Sequence, residues 1–468
     1  MGRRENAMLL RLRVKNFKNL EDVEIRFGPL TCFVGTNGVG KSNILDAIQF
    51  LRALTEHDIQ TAARMVRSPV SGEFGPRDLF FGGDWSRPMQ FEADMLVPNL
   101  VFDDFGREAG PATTLLRYSV EFGLVENGVP RLVLNREVLE PIKAGQAREK
   151  LGFPHKEEFR KSVVQPTRRI GVFISTMDEG QGAGPEIKLH QDGGSRGQAF
   201  APGKSPRTVV GGTNASEYPT VLAARREMAS WMIVQLEPSA IRTPDRIGGP
   251  DKVDEHGRHM AATLHRLIST EETPGRTLAE TVNRLASLVP EVRGIEIDRD
   301  EARQQLTVMA MLEGCREKMG PRSLSDGTLR FLALVTMFMD QDAGALLCME
   351  EPENGIHPGR VPAAVNLLED FCVDVEHPIG PDNPLRQVII NTHSPDVVRQ
   401  LGRDDILFVD TVNSPRGNFA MVRGIEGGWR KGPSQVPLRR WADFIGGAPV
   451  GVKLGQMELS FEIGTLES

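Results

Sequence analysis

A glycine-rich segment near the start of the chain has the residue types and spacing that hold a row of phosphates. Gly35-Thr-Asn-Gly-Val-Gly-Lys-Ser42, here called the phosphate loop, matches GxxxxGK[ST] at every fixed position. Glycines let backbone N–H groups turn toward phosphate oxygens, Lys41 supplies a charge for the β- and γ-phosphates, and the Ser42 hydroxyl joins the shell of a Mg²⁺ ion. We therefore predict that ATP is bound by Gly35, Thr36, Asn37, Gly38, Val39, Gly40, Lys41, Ser42 and Asn43.

Two adjacent carboxylates follow an apolar run much later in the chain. Residues 345–349 read as a buried strand, and Glu350 and Glu351 come directly after it. Because neighbouring strand residues point to opposite sides, we predict that Glu350 binds Mg²⁺ and that Glu351 polarises the attacking water. A solvated acidic turn is the alternative, and the phosphate loop upstream makes it the weaker interpretation.

Two further segments carry polar residues where a phosphate could be contacted. The apolar run 387–390 leads to His393, and a polar residue after a parallel strand lies on the ligand-binding edge of a sheet. We predict that His393 contacts the γ-phosphate. Ser325, Asp326 and Gly327 precede a helical pattern and could simply cap that helix, or could offer the Ser325 hydroxyl and backbone amides to a phosphate.

The surrounding patterns predict the elements that position these residues. Alternating and apolar runs before residue 35 indicate strands, and apolar spacing over 44–54 indicates the helix after the phosphate loop. Short β segments are expected between 90 and 175, an exposed glycine-rich loop over 178–214, and helices over 217–236 and 258–289. From 325 onward, helices and strands alternate, which predicts an α/β fold.

Composition narrows the class of protein. The chain has 468 residues, 40% of them hydrophobic, and a formal net charge of −7. This charge argues against a uniformly basic surface for binding nucleic acid but leaves room for a local basic groove. Its apolar runs are shorter than the ~18 residues of a membrane span, so we expect no membrane association. Four widely spaced cysteines predict reduced thiols and a soluble cytoplasmic protein.

Taken together, the segments resemble the head of an ABC-type ATPase, within the SMC/RecF/OLD-like family of AAA-annotated bacterial ATPases. The similar segments are Asn16-Phe-Lys-Asn-Leu20, the phosphate loop with Asn43, the signature segment 323–334, the Walker B and D-loop segment 350–358, and the H-loop 391–395. The chain departs from the usual pattern at Asp326, where Gly is more common, and at Glu350, where Asp is more common. Gln90 is a candidate for the Q-loop glutamine.

The resemblance implies an ABC-type P-loop NTPase head that forms a homodimer or a higher even oligomer. Each ATP would lie between the Walker motifs of one subunit and Ser325, Asp326 and Gly327 of the other. We predict four segments: a first head part (1–95), a large inserted mixed α+β lobe (96–300), a second head part (301–425) and a C-terminal tail (426–468). Neither a coiled-coil arm nor a TOPRIM nuclease domain is expected.

These features predict an ATP-hydrolysing switch whose closure controls a partner. The partner could be a separate effector protein, such as a nuclease or toxin, or DNA. Bacterial anti-phage defence is the first context and DNA repair or maintenance the second. A slow-turnover, ATP-bound assembly scaffold is the rival from another class, and the large middle segment disfavours a transporter ATPase.

Overall fold

The computed structural model describes residues 8–66, 75–126, 128–166, 171–177, 185–192, 197–271, 275–341, 343–430 and 435–446. Within these ranges, every helix is too short or too polar to cross a membrane. Residues 447–468 of the predicted tail lie outside the described part of the chain.

The strands of the described residues are β1 Met8–Phe17, β2 Leu20–Arg26, β3 Leu30–Val34, β4 Met89–Leu96, β5 Val101–Phe102, β6 Glu108–Ala109, β7 Leu115–Val125, β8 Arg131–Pro141, β9 Ile174–Met177, β10 Glu186–His190, β11 Gly197–Phe200, β12 Met232–Val234, β13 Asp245–Arg246, β14 Val292–Asp300, β15 Gln305–Leu312, β16 Leu346–Glu350, β17 Gln387–Thr392, β18 Ile406–Ser414 and β19 Gly417–Gly424.

The α-helices of the described residues are α1 Lys41–Glu56, α2 Ile59–Met65, α3 Ala147–Leu151, α4 Glu157–Val163, α5 Val209–Gly212, α6 Pro219–Ala229, α7 Pro238–Ile241, α8 Met260–Thr270, α9 Arg276–Leu288, α10 Asp326–Met339, α11 Val361–Phe371, α12 Pro395–Val398 and α13 Leu438–Phe444. Short 3₁₀ turns lie at Pro76–Leu79, Phe81–Gly83, Ala144–Gln146, Pro202–Lys204, Pro321–Ser323 and Pro358–Arg360.

A six-stranded sheet with the order β12-β16-β17-β3-β18-β19 carries the predicted site. Its first five strands run parallel, and only β19 is antiparallel to its neighbour. The carboxyl ends of parallel strands meet at one edge, which is where ligands bind in α/β sheets. That edge brings together the phosphate loop after β3, Glu350 at the end of β16 and Thr392 at the end of β17. The predicted α/β fold is confirmed.

An eight-stranded antiparallel sheet, with the order β11-β10-β9-β8-β7-β4-β1-β2, packs across α1. Phe50 of α1 lies 5.4 Å from Phe91 of β4 and 5.4 Å from Phe122 of β7, measured between ring centroids. The same buried cluster includes Phe33 and Ile389 of the six-stranded sheet. The helix that begins at Lys41 is therefore held between two sheets, and its apolar residues are buried as the sequence pattern predicts.

A second cluster of apolar residues covers the other face of the six-stranded sheet. Val34, Leu347 and Ile390 point to this side, where α8, α9, α10 and α11 pack. The signature segment therefore reaches the sheet through α10, and its position depends on the same core as the acidic strand end.

The structure corrects two sequence predictions. Parts of the glycine-rich segment 178–214 form β10 and β11, because Ile187 and Leu189 are buried and β10 pairs with β9. The helix expected over 217–236 ends at Ala229, and β12 follows it in parallel pairing with β16. β12 depends on a partner distant in sequence, which local periodicity does not report.

Strands from the predicted inserted segment 96–300 pair with strands of both predicted head parts. β7 pairs with β4, and β12 pairs with β16. The four-segment division stays a prediction, and the sheets run across two of its boundaries.

Candidate nucleotide-binding site

The phosphate loop is shaped by glycines at its two ends. Gly40 has a φ of 108°, and a Cβ there would lie 2.3 Å from the Asn19 side chain. At the other end, a Cβ on Gly35 would lie 2.4 Å from the carbonyl oxygen of Val409. Only glycine fits such close approaches. The packing of the loop therefore requires glycine at both positions, independently of phosphate binding.

The turn between β1 and β2 anchors this loop and the helix that follows it. Asn19 donates to the Val39 carbonyl at 3.2 Å and accepts a 2.7 Å hydrogen bond from the Asn43 side chain. Next to it, Lys18 and Asp46 form a buried ion pair with an Nζ–Oδ2 distance of 2.5 Å. The Asn16–Leu20 segment therefore fixes the start of α1 from outside the phosphate loop.

Lys41 is buried at the centre of the site. Its Nζ donates to the carbonyl oxygens of Gly35 at 2.6 Å and Thr36 at 2.9 Å. Burial lowers the pKa of Lys41, and the nearby carboxylates of Glu351 and Glu350 oppose that shift. The Lys41 ammonium group and the carboxylates at the acidic strand end therefore interact electrostatically.

The two adjacent glutamates lie at the predicted edge, but not as successive strand residues. Glu350 ends β16, and its Oε1 accepts a 3.2 Å hydrogen bond from the Asn391 side chain. Glu351 has a φ of 45°, so the chain has already left the strand there. This turn, rather than strand alternation, separates the directions of the two side chains.

Both carboxylate oxygens of Glu351 accept hydrogen bonds from side chains. His393 Nδ1 lies 2.8 Å from Oε1, and Asn354 Nδ2 donates to Oε2 at 2.9 Å. When Glu351 is ionised it can only accept, and a hydrogen bond between these two atoms then requires a proton on His393 Nδ1. His393 therefore orients Glu351, a contact that the sequence did not predict; its predicted contact with the γ-phosphate stays a prediction.

A third carboxyl group, that of Glu353, lies close enough to Lys41 to affect its charge. Burial raises the pKa of Glu353, and the Thr392 hydroxyl donates a hydrogen bond to it. This bond joins the end of β17 to the turn after β16.

The oxygen atoms at this edge suit a magnesium ion. The Ser42 hydroxyl and the Glu350 carboxylate are hard donors of the kind that Mg²⁺ prefers, and such ions usually complete their shell with phosphates and water. Across the described residues, no group of three or more His, Cys, Asp or Glu side chains is arranged to hold a metal alone. The donor set therefore fits a Mg²⁺ ion that arrives with a nucleotide.

Gln235 is a candidate for the Q-loop glutamine that the sequence patterns did not reveal. It directly follows β12, whose register pairs Val234 with Met349, so Gln235 lies beside Glu350. Gln235 and both glutamates line one cavity of about 310 Å³. Gln90, the earlier candidate, lies on the antiparallel sheet and donates to Glu121 at 2.9 Å. The available signal was the apolar run 231–234 ending in glutamine, hidden inside a segment that reads as helix.

The signature residues begin α10. The Ser325 side chain caps this helix by accepting from the Thr328 amide at 3.1 Å. Asp326 accepts a 2.6 Å hydrogen bond from Arg242. Thr328 and Arg242 both lie outside the phosphate loop, so these contacts do not join the signature residues to Lys41 within one subunit. The capping interpretation is confirmed, and the phosphate role stays a prediction.

The segments that form this site are similar to segments of known proteins. A family model described as AAA domain, putative AbiEii toxin, Type IV TA system, matches residues 223–399, and a model described as AAA ATPase domain matches residues 8–74. OLD nuclease of Thermus scotoductus is 47% identical over 62 residues, which are 13% of this chain and 11% of that protein.

The DNA replication and repair protein RecF of Phocaeicola vulgatus is 49% identical over 45 residues, 9% of this chain and 12% of that protein. RecF of Anaeromyxobacter dehalogenans is 40% identical over 81 residues, 17% of this chain and 20% of that protein. The chain therefore spans a fifth or less of the length of these relatives.

Solved structures of SMC heads align over most of the chain at low identity. The SMC head bound to the C-winged helix domain of ScpA is 15% identical, covers 89% of this chain and 98% of its own, and has a TM-score of 0.43. The SMC head domain from Thermotoga maritima is 15% identical, covers 89% and 99%, and has a TM-score of 0.37. The two family models, each matching less than half of the chain, together with the RecF and OLD relatives, show that the chain is similar to AAA ATPase domains and to RecF/OLD-like ATPases, and this similarity supports the resemblance to that family.

Proposed function

We propose that this chain binds Mg-ATP, hydrolyses it to ADP and phosphate, and uses the cycle as a switch. The observation that carries the proposal is the Glu351–His393 pair beside Lys41. A carboxylate oriented by a histidine, next to a lysine that can bind phosphate, has the composition of a site that activates water toward a γ-phosphate.

Each residue has a defined part in this proposal. The backbone amides of the phosphate loop and Lys41 bind the phosphates, and Ser42 and Glu350 hold Mg²⁺, which neutralises the charge that develops on the γ-phosphate. Glu351 accepts a proton from the attacking water. His393 keeps Glu351 oriented, and its Nε2 side remains available for the phosphate.

Closure of two subunits completes the proposed site. The first amides of α10 have no acceptor within their own helix, and the Ser325 hydroxyl accepts only from that of Thr328. The positive end of the helix dipole favours an anion there. Ser325 and Asp326 contact residues outside the phosphate loop of their own subunit. We therefore assign this end of α10 to the nucleotide of a second copy, in a homodimer or a higher even oligomer.

The open and closed states would control a partner in the cytoplasm. A separate effector, such as a nuclease or toxin, in anti-phage defence is our first context, supported by the AbiEii and OLD names among the similar proteins. The RecF relatives support DNA repair as the alternative, with DNA as the partner. Slow turnover by an ATP-bound scaffold is favoured by one observation, the two hydrogen bonds that occupy the Glu351 carboxylate.

A mixing experiment tests the shared site. Ser325→Arg leaves Lys41 and Ser42 intact, so each subunit should still bind ATP, but the added side chain should block closure and hydrolysis. When Ser325→Arg and Lys41→Ala subunits are mixed, one composite site of the heterodimer carries both changes and the other carries neither. Activity should return in part. A strictly monomeric protein with full activity, or proven heterodimers without recovery, would remove the shared-site model.

A further inference from the structure

We propose that Arg242 belongs to the nucleotide site of the opposite subunit, as a cation presented beside the signature residues. This inference rests on the proposed dimer. Arg242 directly follows α7, and its Nη2 donates to Asp326 Oδ1 at 2.6 Å and to the Leu324 carbonyl at 3.1 Å. The guanidinium group therefore lies on the turn that contains Ser325.

Asp326 explains why a cation is needed there. It is the first residue of α10, and 61% of its side chain is exposed. A carboxylate at this position repels a triphosphate that approaches the end of the helix. The ion pair with Arg242 neutralises that charge, so the end of α10 can still accept a phosphate.

The geometry of Arg242 leaves donors for a second ligand. Its side chain is 29% exposed, and its hydrogen bonds within the described residues are both made by Nη2. The N–H groups on Nε and Nη1 can therefore donate to a phosphate oxygen while Asp326 keeps the side chain in place. An arginine that stabilises charge on a transferred phosphoryl group can come from a second subunit.

Arg242 also lies at one end of a short segment whose other end is in its own subunit's site. Gln235 begins this segment beside Glu350, and Arg242 ends it beside Asp326. A single connection of the chain thus holds one polar residue at each of the two composite sites that a head-to-head dimer would form.

Arg226 is a matched control that distinguishes a role at the nucleotide from that of an ordinary surface ion pair. Arg226 Nη2 donates to Asp104 Oδ1 at 2.7 Å and to the Phe102 carbonyl at 3.2 Å, and its side chain is 34% exposed. It has the same kind of partners as Arg242 but lies on α6, which packs on α1 and the β5–β6 hairpin.

In the homodimer, Arg242→Ala should lower ATP turnover by on the order of 10³-fold. ATP affinity of the single subunit should stay unchanged, because Lys41 is intact. Arg226→Ala should stay within about twofold of the wild-type rate, since an exposed ion pair contributes little. If Arg242→Ala turned over ATP at the Arg226→Ala rate, the proposal would be wrong.

Mixing Arg242→Ala with Lys41→Ala subunits shows whether Arg242 acts on the nucleotide of its own subunit or on that of the partner. If Arg242 acts on the partner's nucleotide, one composite site of the heterodimer is intact and activity should return to about half of wild type per dimer. Recovery with Ser325→Arg plus Lys41→Ala, but none with Arg242→Ala plus Lys41→Ala, would overturn the proposal and leave the dimer standing. Failure of both mixtures would point to the dimer itself.

The double variant Arg242→Ala/Asp326→Gly tests direct contact with phosphate. If Arg242 contacts the phosphate, removing both charges should restore ATP-driven dimerisation, measured by light scattering, but not turnover. Full turnover in the double variant would show that Arg242 only neutralises Asp326, and would overturn the assignment of a phosphate contact.

Discussion

His393 and Glu351 lie 42 residues apart in the chain, and their side chains meet through a 2.8 Å contact between Nδ1 and Oε1. They follow neighbouring parallel strands, β17 and β16. The positive φ of Glu351 turns its side chain toward the histidine. Strained backbone conformations of this kind occur at functional sites, where the orientation of the side chain offsets their cost.

Lys41→Ala should lower ATP affinity by about 10²-fold, because a charged hydrogen-bond donor to the phosphates is lost. Isothermal calorimetry measures this directly. Lys156→Ala, which removes an exposed lysine paired with Glu376, is the control and should bind normally. Unchanged affinity of Lys41→Ala would mean that the phosphate loop is assigned wrongly.

Glu351→Gln should bind ATP but lose roughly 10²-fold or more in turnover, the scale expected for a general base. The amide keeps the size of the side chain and cannot take a proton. Single-turnover assays should show ATP persisting on the protein. Wild-type hydrolysis by this variant would transfer the role to Glu350, Glu353 or His393, whereas an unchanged, already slow rate would favour the scaffold.

Gln235→Ala and Gln90→Ala form a matched pair. Gln235 lies beside Glu350 at the sheet edge, so its loss should lower turnover and raise the Mg²⁺ concentration needed for half-maximal activity. Gln90 bonds to Glu121 on another sheet, and its loss should change neither quantity. Magnesium titrations of ATPase activity compare the two variants, and equal behaviour would contradict the placement of Gln235 in the site.

Asp46→Leu should lower the free energy of unfolding by about 3–5 kcal/mol, since it leaves Lys18 buried without its carboxylate. The two side chains are only 3% and 2% exposed. Lys18→Met/Asp46→Leu should recover most of this loss, because both charges are gone. Urea denaturation provides the values, and a loss no smaller in the double variant would show that the ion pair is not the cause.

Glu137 should make stability depend on pH. Burial raises its pKa from 4.5 to about 7, although it accepts hydrogen bonds from the amides of Val209 and Val210. The folded state therefore holds a proton that the unfolded state releases, and stability falls as pH rises from about 4.5 to 7.

The raised pKa of Glu137 corresponds to about 3 kcal/mol in the free energy of unfolding. Glu137→Gln cannot ionise, so the difference between wild type and variant should change across that pH window and stay flat above it. Denaturation at a series of pH values measures the difference. A difference that is constant from pH 4 to 8 would contradict the assignment to Glu137.

The sequence by itself determined the chemistry of contiguous segments. The phosphate loop, the carboxylates after β16 and the histidine after β17 are each local patterns next to a strong apolar strand. A buried parallel strand has a composition of its own, and the residue that follows it must lie at the sheet edge, so these positions could be predicted without coordinates.

Only the tertiary structure decided which separate segments meet. β12 has three residues and exists because β16 pairs with it, so the apolar run 231–234 was not enough by itself to distinguish Gln235 from Gln90. The same holds for the contacts of His393 with Glu351 and of Arg242 with Asp326, which join residues 42 and 84 positions apart. Such contacts arise from the register of the sheet and the packing of α10 on it, and both depend on non-local burial rather than on the spacing of residue types along the chain.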